Sequence, residues 1–452
     1  MPDIAAVIMA AGKGTRMKSS VPKVMHTLAG KPLIDHVLEC AGQVGIKRVL
    51  VVLGHGRTVI EEHLAERAEI VVQEEQLGTG DAVLRAMPYL EDAKDVLIMS
   101  GDQPLLKAST VQALLNSHRE RGAAATILTA VLPNPFGLGR VLKEGKQLKG
   151  IVEEKDATPQ QREINEINTG TYCFNVQALK QALSKITPQN AQGEYYLTDV
   201  FKYLLAENQE VLTYCTEDVH EALGINWRGQ LAEAEKIVQE RIRTRWMEAG
   251  VTMLDPDSTF IEGDVELAQD VTLLPFTYLQ GKTKIGSHSV IGPHTQLDSC
   301  ICGSDCQISH TVARGVKVGE DCSIGPFAYL RPGTELADHV KVGDFVEIKN
   351  TQVGHGTKIP HLSYIGDSQV GSGVNIGAGT ITCNYDGKHK HLTKIGDRAF
   401  IGSNANLVAP VEIGADALIG AGSTITKNVP AGALGIERSQ QVIKERKHSP
   451  KD

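Results

Sequence analysis

Between residues 318 and 425 an aliphatic side chain returns at nearly every sixth position. Val318, Ile324, Leu330, Leu336, Val342 and Ile348 keep strict register. The spacing slips to five at Val353, resumes through Ile359 and Ile365, and slips again at Val370 before Ile376. It returns at Ile395, Ile401, Leu407, Ile413, Ile419 and Ile425. Gly, Ala or Asp often follows the aliphatic residue, as in Ile324-Gly325 and Ile419-Gly420. Hexapeptide repetition is the signature of a parallel β-helix, in which each aliphatic side chain points into a prism and stacks on its counterpart one coil away. With three hexapeptides per coil and coils roughly 4.8 Å apart, about 170 residues give a rod roughly 45 Å long. Periodicity alone does not supply the hand, because a left-handed coil runs against the right-handed crossover rule.

The first half has a different grammar. Ile4 to Ala11 is a continuous apolar run, as expected of a buried strand in a parallel sheet. Further strands are expected over 49–53, 96–99 and 124–131, ending at Gly54-His55-Gly56 and Ser100-Gly101-Asp102 for the first two. Stretches 32–46, 58–68 and 109–121 place apolar residues at spacings of three and four, so helices are expected there. Strands alternating with helices imply a mainly parallel, doubly wound α/β sheet whose ligands sit beyond the carboxyl ends of the strands. Residues 228–249 fit one long amphipathic helix capped by Gly250, a connecting arm between the two halves. The expected division is 1–227, a linker helix at 228–250, a β-helix at 251–437 and a tail at 438–452. The basic segment 443–452 reads as disordered.

Bulk properties exclude several classes. The 452 residues carry a net charge of −8, which argues against a general nucleic-acid footprint. No apolar stretch approaches the roughly 18–20 residues of a membrane span, and the N-terminus lacks a secretory pattern. Eight cysteines in so long a chain suggest free thiols in a reducing cytoplasm. Cys300, Cys302 and Cys306 have poor spacing for zinc and no companion histidine at a finger-like distance.

The segment MAAGKGTRM at 9–17, followed by VPK at 21–23, is glycine-rich and basic but fits neither a Walker A loop nor a dinucleotide fingerprint. Its backbone N–H groups, with Lys13, Arg16 and Lys23, suit a triphosphate. Asp102 follows a strand end and suits Mg²⁺, which is commonly held by one or two protein oxygens plus phosphate. QEEQLGTGD at 73–81 adds a second small-residue loop whose amide side chains suit a base edge.

The ordered set MAAGKGTRM…VPK, EEQLGTG, SGD, GLGR (137–140), GIVEEKD (150–156), EINTG (166–170) and GIN (224–226) resembles the bacterial sugar-nucleotide pyrophosphorylases. With the hexapeptide half, the chain from about residue 4 to 440 resembles the bifunctional N-acetylglucosamine-1-phosphate uridyltransferase/glucosamine-1-phosphate N-acetyltransferase family. The resemblance implies a Rossmann-like nucleotidyltransferase domain, a linker helix and a left-handed parallel β-helix. It implies a uridine pocket from Met9, Ala10, Ala11, Gly12, Gln73, Gln76, Gly78 and Thr79, with Met9 where the family usually has Leu. Arg16 and Lys23 would stabilise the phosphates, Asp102 and Asn226 would hold Mg²⁺, and Gly139, Glu153 and Asn168 would bind N-acetylglucosamine. A bulky Trp227 follows Asn226 where the family often has a small polar residue.

In the β-helix, Arg331-Pro332 and Lys349 put cations at repeat corners. His361, Tyr364, Asn375 and Asn384-Tyr385 gather where the hexad slips and where CNYDGKHKHLTK (383–394) is inserted. A glucosamine amine is largely protonated at neutral pH, and attack on a thioester needs the free amine. A histidine titrating near about pH 6.5 is the natural proton acceptor. The resemblance makes His361 that base, whereas His339, His355, His389 and His391 read as solvated. It gives the sugar phosphate to Arg331 and Lys349, the sugar to Tyr364 and Asn375, and acetyl-CoA to Ala378, Asn384, Tyr385, Ser403, Ala421 and Arg438. Cys383 reads as incidental, because direct transfer needs no acyl-thiol intermediate. Sites in grooves between prisms imply a homotrimer. A glucose-1-phosphate adenylyltransferase with a regulatory β-helix would leave Arg331, Lys349, His361 and Tyr364 without a role. An assembly subunit without activity would leave SGD, EINTG and GIN accidental.

Overall fold

The computed structural model describes residues 4–54, 57–145 and 147–445, and not the side chain of Arg57. His55, Gly56 and most of the basic tail expected at 443–452 lie outside those residues. The chain forms two compact units, Met1–Val238 and Gln239–Asp452, and the division falls within the helix Arg228–Glu248.

In the first unit the strands of the main sheet are β1 (Ile4–Met9), β2 (Arg48–Leu53), β3 (Glu69–Val72), β4 (Asp95–Ser100), β5 (Ala125–Val131), β6 (Arg140–Glu144), β7 (Gln147–Val152), β8 (Glu166–Asn175) and β9 (Val211–Cys215). Along the sheet they run β9-β5-β8-β4-β1-β2-β3, with the β6–β7 hairpin joined to β8 at Ile167↔Arg140. Every pairing along that order is parallel except those of β8, which runs antiparallel to β4 and β5. β1 lacks polar alternation because both of its faces are covered. Ala5 and Val7 join one apolar cluster, and Ile4, Ala6 and Ile8 join the other. The strand is shorter than its apolar run, since Ala10 and Ala11 already begin the glycine turn. The expected helices form as Leu33–Gln43, Arg57–Leu64 and Ala108–Arg121. Chain order reverses at β1, with β2 and β3 on one side and β4 on the other, so a crevice opens beyond the carboxyl ends of β1 and β4.

The start of the helix Arg228–Glu248 belongs to this unit. Leu231, Ala234, Ile237 and Val238 pack with Leu28, Leu33, Leu105 and Ile225.

The second unit is a left-handed parallel β-helix. Successive coils pair in register: Tyr329 with Glu347, Glu347 with Tyr364, Tyr364 with Ile381, and Ile381 with Asn406. The last step is longer because the loop after Cys383 is inserted there. All seventeen aliphatic hexad positions from Val318 to Ile425 are buried. The stack starts well before them, with Ile261, Leu267, Leu273, Leu279, Ile285, Ile291 and Leu297 also buried. Cys302 takes the next interior place, and Cys300 and Cys306 are buried beside it, so this cysteine cluster is prism packing.

Corners are turned by residues in the left-handed region, among them Asp321, Phe327, His339, Phe345, Asn350, Leu362 and Asp367. The open end of the first coil is covered locally. Gln239 donates through Nε2 to Ile261 O at 3.0 Å and accepts from Ile261 N–H at 2.9 Å, so its amide takes the place of a further strand. At the helix end Gly250, with φ 93°, donates to Met247 O while Val251 donates to Trp246 O, the geometry of a glycine C-cap.

Ile365 is fully buried and stacks on Ile348. Ile365→Ala is expected to lower the unfolding free energy by about 2–5 kcal/mol, read as a shift in the urea midpoint of the β-helix transition.

Candidate active sites

The crevice of the first unit contains a cleft of ≈ 290 Å³ between the glycine turn, the 73–79 loop and the end of β4. Gly14 has φ 60°, and a Cβ there would meet the Lys23 Cβ at 2.7 Å, so glycine permits the close approach of the two segments. Arg16 lies on the short helical turn Thr15–Met17, anchored by buried Met17.

Four polar side chains converge at one edge. Lys23 Nζ donates to Asp102 Oδ2 in a short contact and to Asn226 Oδ1 at 3.2 Å, while Arg16 donates to the same Asn226 oxygen at 2.9 Å. The Lys23–Asp102 pair is mostly screened from water, with side-chain exposures of 14% and 19%. Asn226 is held through its own backbone N–H and that of its neighbour. Ile225 N–H donates to Asp102 O at 2.9 Å, and Asn226 N–H donates to Gln230 Oε1 at 2.8 Å. Asp102 and Asn226 thus aim two hard oxygens at one point, a donor set that fits Mg²⁺. Among the described residues no cluster of three or more His, Cys, Asp or Glu could hold a metal by itself. Trp227 is half exposed and folds over the first turn of its own helix, where a Cβ on Gly229 would strike the indole.

The amides of the 73–81 loop mainly hold the loop together. Buried Gln73 donates through Nε2 to Gly78 O at 3.0 Å and to Asp81 Oδ2 at 2.8 Å, and Gln76 Nε2 donates to Ala11 O in a short contact. Gly78 has φ 115°, and a Cβ there would lie 2.5 Å from Tyr195 O. The expectation that these amides face a base edge is therefore narrowed to their carbonyl oxygens.

Gly139, Glu153 and Asn168 are also brought together. A Cβ on Gly139 would sit 3.2 Å from a Glu153 oxygen, and Asn168 N–H donates to Gly139 O at 2.9 Å. Burial pushes the Glu153 carboxyl above its usual range, and a hydrogen bond from Thr198 Oγ1 at 3.0 Å opposes that shift. The pattern missed Thr198, Gln230 and Gln103. Gln103 is buried and donates through Nε2 to Thr169 O, tying the SGD loop to the EINTG strand. None of the three carries a local motif.

In the second unit, one prism face carries Arg331, Lys349 and Tyr364. Arg331 follows Leu330, which pairs with Ile348, so Arg331 lies beside Lys349; it also donates to Glu347 Oε1 at 2.8 Å. His361 ends the adjoining strand Lys358–His361, at the corner shared with that face, its Nδ1 2.7 Å from Asp344 Oδ1, directly across the ladder pairing Asp344↔His361. The imidazole lowers the Asp344 carboxyl below its usual range. Asn384 Nδ2 lies 3.4 Å from the Tyr364 hydroxyl.

Asn375 is not on this face. It pairs with Lys358 and Phe400 on the neighbouring one, so within one chain it lies round the corner from Tyr364. Ala378, Ser403 and Ala421 occupy one corner in consecutive coils: Asn404 N–H donates to Ala378 O, and Gly422 N–H to Ser403 O. The Arg438 Cδ lies 3.9 Å from where a Gly422 Cβ would stand. Upstream the same corner bears Phe276, His294, His310, Phe327 and Phe345, a column of ring contacts at centroid distances of 4.8–5.5 Å, and then Leu362. It therefore changes from bulky to small one coil after Leu362, where Gly379 takes the left-handed corner position.

Of the histidines read as solvated, His339 bonds Asp321 at 2.7 Å, with the His355 ring edge-on beside it. His391 is half-buried on Asp386 at 2.7 Å. Asp386 also accepts from Lys388 N–H and His389 N–H, closing the inserted loop into a compact turn in which Tyr385 and Lys390 bridge. That turn brings Lys390 near enough to Lys349 to lower its pKa, a proximity the sequence pattern did not reveal.

Residues 6–150 match the model of the MobA-like NTP transferase domain, and 315–350 and 392–427 match bacterial transferase hexapeptide repeats. The chain is 63% identical over 441 residues to the Bifunctional protein GlmU of Desulfitobacterium hafniense (strain DSM 10664 / DCB-2), covering 98% of this chain and 97% of that one. It is 54% identical to the protein of the same name from Heliobacterium modesticaldum, with 98% of each covered. The chain belongs to the GlmU family. As a GlmU enzyme it is a uridyltransferase and a glucosamine-1-phosphate acetyltransferase of UDP-N-acetylglucosamine synthesis. Its cysteines are free thiols, and no helix among the described residues is long and apolar enough to cross a membrane.

The left-handed backbone and blocked Cβ space at Gly78 yield a test that separates the two GlmU activities. Gly78→Ala is expected to depress pyrophosphate release and to leave thiol release from acetyl-CoA unchanged, each followed on the same full-length preparation.

Proposed function

We propose that the two GlmU reactions run at two separate centres: uridylyl transfer at the Lys23–Asp102–Asn226 cluster in 1–227, and acetyl transfer at the His361 face in 251–437. The convergence of Arg16, Lys23, Asp102 and Asn226 carries the first assignment. In that reaction a phosphate oxygen of N-acetylglucosamine-1-phosphate bonds to the α-phosphorus of UTP, and the bond to the β-phosphate oxygen breaks, releasing pyrophosphate. Arg16 and Lys23 offset the charge that builds on the phosphate oxygens, so positioning and electrostatics suffice without a covalent intermediate. Met9 to Gly12 and the 73–79 loop hold the uridine. Gly139, Glu153 and Asn168 orient the sugar. Asp102 and Asn226 are the residues that would hold Mg²⁺, which supplies further neutralisation of phosphate charge when bound.

The contact between Asp344 and His361 carries the second assignment. With Nδ1 bound to the carboxylate, Nε2 is the nitrogen that accepts a proton from the glucosamine amine. The amine nitrogen then bonds to the thioester carbonyl carbon, the carbon–sulfur bond breaks, and the leaving thiolate takes up a proton. Arg331 and Lys349 hold the sugar phosphate, and Tyr364 holds the sugar. The small-residue corner at Ala378, Ser403 and Ala421, with Asn384, Tyr385 and Arg438, accommodates acetyl-CoA. Burial raises the Cys383 thiol pKa, which disfavours the thiolate an acyl carrier would need. Asn375 serves the same sugar only if another prism presents it, which supports a homotrimer with its sites between prisms. The free thiols accord with a cytoplasmic enzyme.

A split assay tests both assignments. Lys23→Ala and Asp102→Ala are each expected to slow pyrophosphate release by at least about 10²-fold, with thiol release intact. His361→Ala is expected to slow thiol release by about 10²–10⁴-fold, while pyrophosphate release from UTP and N-acetylglucosamine-1-phosphate persists. Asp344→Asn should give a smaller loss of the same kind. Wild-type thiol release from His361→Ala, or normal pyrophosphate release from either first-unit variant, sinks the corresponding assignment.

A further inference from the structure

Asp367 turns the corner after Ile365-Gly366 in the left-handed conformation, φ 47°, and its side chain is only 12% exposed. Its two oxygens are engaged separately. Asn350 Nδ2 donates to Oδ1 at 2.7 Å, and Asn384 Nδ2 donates to Oδ2 at 2.5 Å. Lys349 Nζ stands 4.0 Å from Oδ2. Lys390 reaches the same point from the inserted loop: its proximity to Lys349 pulls its pKa down, and the charge of Asp367 pulls it back up.

Two neighbouring ammonium groups repel one another, and a fixed carboxylate beside them lowers the cost of holding both. A carboxylate is also the only group of this shape that accepts at both ends. An asparagine in its place would turn its own NH₂ toward one of the two asparagine NH₂ groups. Relief would come from rotating that neighbour, and rotating Asn384 would swing its carbonyl oxygen to where its NH₂ had been.

We propose that Asp367 is a positioning residue for acetyl transfer, a single carboxylate that steadies Lys349 in the sugar-phosphate pocket and sets the amide orientation of Asn384 in the acetyl-CoA pocket. The proposal rests on the roles given to Lys349 and Asn384 above, and it links the two pockets through one side chain.

The test is a double-mutant cycle on the full-length enzyme, with thiol release giving KM for glucosamine-1-phosphate and for acetyl-CoA. Asp367→Asn is expected to raise both KM values by about tenfold, the scale of coupling between touching residues, with pyrophosphate release unchanged. In a Lys349→Ala background the same change should barely move KM for glucosamine-1-phosphate while still raising that for acetyl-CoA. Equal increases in both backgrounds, or KM values unchanged in Asp367→Asn, overturn the proposal. Asn350→Gly separates positioning from simple support of the corner, because it removes a hydrogen bond to Asp367 while keeping the left-handed turn and leaving the Lys349 and Asn384 side chains in place. It should stay near wild type, and a defect matching Asp367→Asn overturns the proposal. Lys349→Ala with a normal KM for glucosamine-1-phosphate would instead remove the phosphate assignment itself, whatever Asp367→Asn does.

Discussion

A parallel pair of strands cannot be closed by a tight turn, so the chain must travel before it returns. Both units are built on that constraint and resolve it differently. In the first, the chain returns through helices packed on the sheet, and the loops leaving the carboxyl ends of β1 and β4 meet at one crevice. Lys23 follows the loop of the first strand, Asp102 that of the other, and the Ile225–Asp102 backbone bond brings in Asn226. In the second, the chain returns around the other two faces of a prism, so residues about one coil apart stand in columns. Asp344 over His361, and Tyr329, Glu347 and Tyr364 in succession, are such columns. The chemistry of each site follows from how the chain solves the return.

This difference governs what the sequence disclosed. The first site was legible as motifs, because each loop supplies a short contiguous string, and glycines such as Gly14 and Gly78 mark where backbones approach. The prism was legible as a period, because each interior position is filled by one kind of side chain. Contacts between columns were harder to foresee. Asp344 and His361 become neighbours only if the five-residue slip near Val353 is placed correctly, and Asp367 meets Asn384 across a second slip. Lys390 lies within an insertion whose fold depends on Asp386 accepting three hydrogen bonds, a local event without periodic signature. The strict hexads from Ile261 to Leu297 are equally regular, but Cys302, a cysteine five residues on, disguises their continuation.

The cations assigned to phosphate and the assigned base mostly carry a carboxylate partner: Lys23 has Asp102, Arg331 has Glu347, Lys349 has Asp367 and His361 has Asp344. Such pairing weakens the raw pull of each cation on a phosphate. It also keeps long, flexible side chains in place before substrate arrives, which reduces the conformational entropy lost on binding. The balance depends on exposure. Lys23–Asp102 is largely withdrawn from water, so removing one partner leaves an uncompensated charge in a poorly solvated place. His361–Asp344 is more than a third exposed on both sides, so its Coulomb energy is screened. Its value lies in direction: the carboxylate engages Nδ1 and leaves Nε2 clear of that contact, as the base proposed above requires. Lys349–Asp367 resembles the first pair in burial and the second in purpose, since both carboxylate oxygens are already occupied by asparagine donors and the lysine is held at 4.0 Å without a direct hydrogen bond. A cation kept near its counter-charge but not bonded to it retains its donors, which is the arrangement the phosphate site proposed for Lys349 requires if it is to bind and release an anion.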